Sequence, residues 1–151
     1  MELLRAHSMT CAAAESCTGG GVGAAITSVP GASEVFAGSV VSYSNDVKRS
    51  VLGVDAKSLE RFGAVSSEVA CEMASGARRL MKTDLAVSVT GIAGPGGGSE
   101  EKPVGLVWFG ISSAAGTRTE KAIFQGGRDA VRAQAVMHAI GMLTVAASGG
   151  R

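Results

Sequence analysis

Histidine, cysteine and aromatic side chains are all scarce in this chain of 151 residues. Its three cysteines, Cys11, Cys17 and Cys71, are odd in number and lack metal-type spacing. That argues against a disulfide framework or a zinc site and fits a reduced, cytoplasmic setting. Only two histidines occur, His7 near the start and His138 in the last segment, so a Ser-His-Asp triad is not expected. His138 reads as a structural residue. Neither sign of charge dominates, because 14 Lys and Arg against 13 Asp and Glu leave a formal net charge of +1. Nothing in that balance draws the chain to nucleic acid or to an anionic membrane. A small phosphorylated ligand, which needs only one or two local cations, stays open. The first residues lack the basic start and apolar core of a signal peptide. Two uncharged stretches, Ser16–Ser33 and Ala133–Gly150, are too rich in polar residues and glycine to read as membrane spans. No Gly-Lys-Ser/Thr follows a glycine run and no G-x-S-x-G is present, which removes the Walker phosphate loop and the hydrolase elbow.

What is abundant is small. With 22 glycines, 46% hydrophobic residues and 4% aromatics, the chain suits close packing of helices on a sheet. It also suits tight loops that bring main-chain N–H groups to a ligand. The length fits one domain spanning 1–151, with no repeat or linker. A short helix is expected over Met1–His7, a strand over Met9–Ala14, and a helix over Gly19–Ser28 up to the turn at Pro30-Gly31. Val35–Tyr43 has strand composition. Asn45 or Asp46 can cap a helix ending at Gly53, Asp55 one ending at Gly63, and Ser66 the strongest helix of the chain. In that helix Val69, Met73, Ala77 and Leu80 form one apolar stripe, read as core. Leu85–Thr90 is a short buried strand. Gly105–Ser113 and Arg118–Phe124 read as a hairpin, and Asp129 to about Ala147 as a closing amphipathic helix whose uncharged face over Ala133–Ala147 can be core or a subunit interface. The alternation predicts a three-layer α/β/α sandwich with a mixed, mostly parallel sheet of about five strands.

In such sheets ligands lie outside the carboxyl ends of the parallel strands. Three polar segments fall there: "ESCTGG" from Glu15, "SYSNDVK" from Ser42, and "TGIAGPGGGSEEKP" from Thr90. The glycines fit G-x-G-x-x-A loosely, but no acidic residue ends the second strand to hold a ribose, so a dinucleotide cofactor is not expected. Ser16 can be a nucleophile, or Ser16 and Thr18 can cap the helix that follows. The base would then be Lys48, partly desolvated or beside a cation such as Arg128, or else Tyr43. Glu15 can face a ligand or bond loop amides. The N–H groups of Gly19–Gly21 can meet an anion or a developing oxyanion. Arg128, a cation at the start of a helix, is better explained by a bound anion than by local stability. Glu100, Glu101 and Lys102 read as a solvated loop tip, and Trp108 as core or a stacking surface.

Together, "AESCTGG", "YSNDVK", "GAVSSEVACEMASGA", "TGIAGPGGGSEEKPVG" and "GGRDAVR" resemble the C-terminal domain family of the competence/damage-inducible CinA proteins. The resemblance covers nearly the whole chain. Stand-alone domains of that family are nicotinamide-nucleotide amidases. The resemblance therefore implies hydrolysis of the carboxamide of nicotinamide mononucleotide to nicotinate mononucleotide and ammonia, with no cofactor and no metal. It implies Ser16 as nucleophile, Tyr43 and Lys48 as the groups that activate it, Thr90 in the same site, and Arg128 on the substrate phosphate. Glu15, Thr18, Gly19 and Gly20 are expected on the substrate-binding side. A non-catalytic nucleotide-sensing domain and an amidase on another small amide are the alternatives, and a homo-oligomer is left open. The larger amino-terminal domain of long CinA proteins is absent from this sequence, so activity belonging to it is not expected.

Overall fold

The computed structural model describes residues 1–149, so Gly150, the last residue of the second uncharged stretch, lies outside the described residues. A short helix α1 (Glu2–Ala6) leads into β1 (Cys11–Glu15), α2 (Gly21–Thr27), a 3-10 turn at Ala32–Glu34 and β2 (Phe36–Val41). Three helices follow, α3 (Asn45–Leu52), α4 (Ala56–Phe62) and α5 (Ser67–Met81), then β3 (Leu85–Gly91), β4 (Leu106–Ser113), β5 (Gly116–Ile123) and α6 (Arg128–Ala147). The sheet order is β2-β1-β3-β4-β5. β1 pairs in parallel with both β2 and β3, whereas β4 is antiparallel to both β3 and β5. Four of the five strands thus share one direction.

The scarcity of rings shows in the layer geometry. On one face Ala12, Ala14 and Ala86 pack against Val69, Met73 and Ala77 of α5 and Leu52 of α3. Small residues bring α5 onto the strands, since a Cβ at Gly110 would sit 2.5 Å from the Ala70 carbonyl oxygen. Ser88 Oγ donates to that same carbonyl at 2.6 Å. The other face carries Cys11, Ala13, Val87, Val89 and Phe109 beneath α2 and α6. Ser66 caps α5 as expected, accepting from Val69 N–H, and Asp55 caps α4, accepting from Lys57 N–H. Ser44 caps α3 and accepts from Val47 N–H, where Asn45 or Asp46 was expected. Leu80 is 51% exposed and not core. The buried stripe keeps strict four-residue spacing and ends on the partly buried Met81, one residue further round the helix.

Two features place the site. The chain leaves β1 toward α2 on one face and β2 toward α3 on the other, so the carboxyl ends of these neighbouring strands open a crevice. Within β1, successive side chains alternate faces. Ala12 and Ala14 look toward α5, Cys11 and Ala13 toward α6. The ladder continues one residue beyond the strand through Ser16 N–H to Val89 O at 2.9 Å. Glu15 and Ser16 are thereby sent to opposite sides of the sheet.

α6 lies across β3, β4 and α2. By length and composition it could span a bilayer, but it buries Val131, Ala135, Ala139, Met142 and Leu143 against the sheet. Its other side, with Ala133, Met137, Gly141 and Val145, is exposed. His138 is structural as read, bonded to Glu120 and packed on Phe109 with ring centroids 4.4 Å apart.

Candidate active site

Ser16 sits at the end of β1 and faces α3, where Lys48 is fully buried. Lys48 Nζ lies 3.0 Å from Ser16 Oγ, 2.7 Å from the Ser42 carbonyl oxygen and 3.4 Å from that of Tyr43. Ser42 is itself fixed, its N–H donating to Glu15 O at 2.8 Å. Burial lowers the Lys48 ammonium from 10.5 to about 8, because a charge removed from water without a counterion favours its neutral form. The neutral amine has two N–H groups and one lone pair. Two donors can remain on the Ser42 and Tyr43 carbonyls, which leaves the lone pair for the Ser16 hydroxyl.

The two base candidates are in different places. Tyr43 contributes its carbonyl to Lys48, while its side chain is 62% exposed, and its hydroxyl accepts from Arg128 Nη2 at 3.4 Å. Arg128 also donates through Nη1 to Gly94 O at 2.9 Å, which ties α6 to the 91–105 loop. Thr90 is fully buried, and its hydroxyl donates to Ala64 O at 2.7 Å. It steadies the turn before α5 beside the site. Lys102 is no solvated loop residue, because its Nζ donates to Phe62 O at 2.6 Å. Trp108 is half-buried opposite Thr90, with the Lys121 ammonium 5.6 Å from its ring centre.

Two expectations need correction. Of the two roles open to Glu15, the structure bears out the bonding of loop amides and not the place on the substrate-binding side. Glu15 is fully buried, and its carboxylate accepts from Gly20 N–H and Val22 N–H at 3.0 Å, Gly23 N–H at 2.9 Å and Ser39 Oγ at 2.7 Å. An internal anion at a helix start satisfies donors that have no helical partner. The helix is therefore capped by Glu15, not by Ser16 or Thr18. For the same reason the Gly19–Gly21 amides are not free for an oxyanion. Gly20 N–H belongs to Glu15, Gly19 N–H donates to Ser16 O at 3.1 Å, and Gly21 N–H to Thr18 O at 3.2 Å. Gly19 and Gly20, at φ of 60° and 97°, let the chain make this turn, a conformation costly for other residues. Among the described residues, the N–H groups of Cys17 and Thr18 have no acceptor outside their own residues.

Sequence reasoning missed Arg132. It lies one helical turn beyond Arg128, on the same side of α6, and its Nη2 donates to Thr18 O at 3.0 Å. A second, ion-forming arginine in "GGRDAVR" was the available signal. Burial pushes the Cys17 thiol up to about 11, outweighing the hydrogen bond from its own backbone N–H and the charges of Lys48, Arg132 and Arg128, all of which pull it down. Cys17 is thus a thiol at neutral pH, and Ser16 is the nucleophile candidate of the turn.

Comparison with known proteins places this arrangement in company. The family model for the CinA C-terminal domain matches residues 1–146. A CinA-like protein of Parasynechococcus marenigrum is 50% identical over 145 residues, which is 95% of this chain and 35% of that one. The chain spans about a third of the length of the curated relatives it matches. Among solved structures, a CinA superfamily protein from Klebsiella pneumoniae superposes with a TM-score of 0.94 at 35% identity, covering 98% of this chain and 92% of that one. A competence/damage inducible protein from Agrobacterium tumefaciens gives 0.91 at 41% identity, covering 97% and 94%.

Proposed function

As the chain belongs to the CinA C-terminal domain family, we propose that it is a serine amidohydrolase converting nicotinamide mononucleotide to nicotinate mononucleotide and ammonia. The observation that carries this reading is the 3.0 Å contact between Ser16 Oγ and the buried Nζ of Lys48. A neutral lysine beside a hydroxyl can act as its base where no histidine is at hand.

Lys48 takes the Ser16 proton as Oγ attacks the carboxamide carbon. The oxyanion of the tetrahedral intermediate meets the N–H groups of Cys17 and Thr18, donors held in place by the turn before the charge develops. The Lys48 ammonium returns its proton to the departing nitrogen, and ammonia leaves behind an ester on Ser16. Lys48 then deprotonates a water that attacks this ester, and the proton it gained restores the Ser16 hydroxyl as nicotinate mononucleotide departs. Arg128 holds the substrate phosphate, a role suited to its planar fork, and Tyr43 borders the same pocket.

The test is ammonia release from nicotinamide mononucleotide by the purified protein, with Ser16→Ala alongside. Loss of release in that variant supports Ser16 as nucleophile, and full activity would remove it. Turnover of simple amides with none on the nucleotide would overturn the substrate. Tight nucleotide binding without turnover would overturn the enzyme.

A further inference from the structure

The turn from Ser16 to Gly20 is held at a cost. Two consecutive glycines are in the left-handed region. Thr18 is 1% exposed, yet its hydroxyl has no hydrogen-bond partner, and neither does the buried Nε of Arg132. Buried polar atoms are nearly always paired, and exceptions tend to collect where function fixes a conformation. These are the unpaired buried side-chain atoms found among the described residues, and their two residues are joined by the Arg132 Nη2 to Thr18 O bond. The turn is gripped from two directions. Glu15 holds the amides of Gly20, Val22 and Gly23 from within the sheet side. α6 presses from outside, where a Cβ on Gly21 would lie 2.9 Å from Val136 and one on Gly19 3.6 Å from Arg132. Among the described residues, the Cys17 and Thr18 amides of this turn are left without an external acceptor.

We infer that Arg132 is a positioning residue of the reaction: by holding the Thr18 carbonyl it fixes the Cys17–Thr18 segment whose N–H groups receive the oxyanion. Arg128, whose guanidinium rests on the Gly94 carbonyl and the Tyr43 hydroxyl instead, is the residue for the substrate anion. The two arginines of α6 therefore divide the work, one on chemistry and one on binding. This rests on the amidase reading above, and the experiment separates the two.

Steady-state kinetics are compared for the wild type, Arg132→Gln, Arg132→Lys and Arg128→Gln. Arg132→Gln is expected to lose about 100-fold in kcat, the scale of an ångström of misplacement, with KM held within about threefold. Arg132→Lys keeps a donor for the Thr18 carbonyl and recovers about tenfold of that loss. Arg128→Gln is expected to raise KM with a smaller change in kcat. A loss in Arg132→Gln that lies wholly in KM would overturn the inference and make Arg132 a substrate ligand, and an unchanged kcat would overturn it too. The rate of Ser16 labelling by a fluorophosphonate, followed by mass spectrometry, gives the same comparison without an amide. Should the wild type be labelled yet release no ammonia, the amidase reading falls. Slower labelling of Arg132→Gln would then still support the positioning role, and equal labelling would overturn it.

Discussion

Replacing Lys48 with methionine should change stability by an amount that depends on pH, with the wild type gaining on the variant as pH rises. In the folded protein burial lowers the ammonium from 10.5 to about 8. Between those values the unfolded chain binds more protons at this position than the native one, so wild-type stability rises with pH. Below about pH 8 the wild type carries the whole penalty, about 3 kcal/mol for a shift of that size. By pH 10.5 most of it is gone. Lys48→Met removes the titration and keeps an unbranched side chain of similar reach. The variant loses the bonds to the Ser42 and Tyr43 carbonyls, but that loss does not vary with pH. The quantity to measure is the difference in unfolding free energy between the two proteins, by urea denaturation at pH 7, 9 and 10.5. Relative to the variant, the wild type should gain about 3 kcal/mol across that range, or roughly 6–12 °C in melting temperature for a domain of this size. A difference that stays flat from pH 7 to 10.5 would refute the desolvated lysine and, with it, the base.

Activity should follow the same group. The rate of ammonia release is expected to rise through about pH 8, where Lys48 becomes neutral, and to level off above it, as a pH–rate profile will show. Glu15→Gln turns one of the acceptor oxygens facing Gly20, Val22 and Gly23 into an N–H₂ group, and should cost about 3 kcal/mol by denaturant titration. Gly76→Ala drives a Cβ into the Leu52 carbonyl, where α3 and α5 cross. A loss of about 3 kcal/mol or more is expected in the same titration, because the obstacle is backbone.

Much of the fold is written in local chemistry. Asp55, Ser66, Gly53 and Gly63 announce helix ends through their own side chains or their lack of one, and Leu85–Thr90 announces by composition a strand that runs one residue further, to Gly91. That Ser16, Lys48 and Arg128 converge follows from the sheet type, since all three lie just beyond strand ends. What stays hidden depends on partners distant in sequence. Glu15 and Ser16 are equally polar neighbours, and only the parallel register with β2 and β3 decides which one meets Lys48 and which one meets the α2 amides. Arg132 looks like any solvated helix residue until α6 is laid against the Thr18 carbonyl, 114 positions away. Lys102 is likewise a loop charge until the 91–105 segment folds back on Phe62, 40 positions away. Ser44, Asn45 and Asp46 could each cap α3, and the exit angle of β2 chooses among them.

α6 touches the site at three successive turns, through Arg128 on Gly94, Arg132 on Thr18 and Val136 at Gly21. These three contacts are spaced by four residues along one rigid rod. A slide of α6 along its own axis would therefore carry the Gly94 loop, the Thr18 carbonyl and the first turn of α2 with it, so that a disturbance at any one of them is felt at the other two.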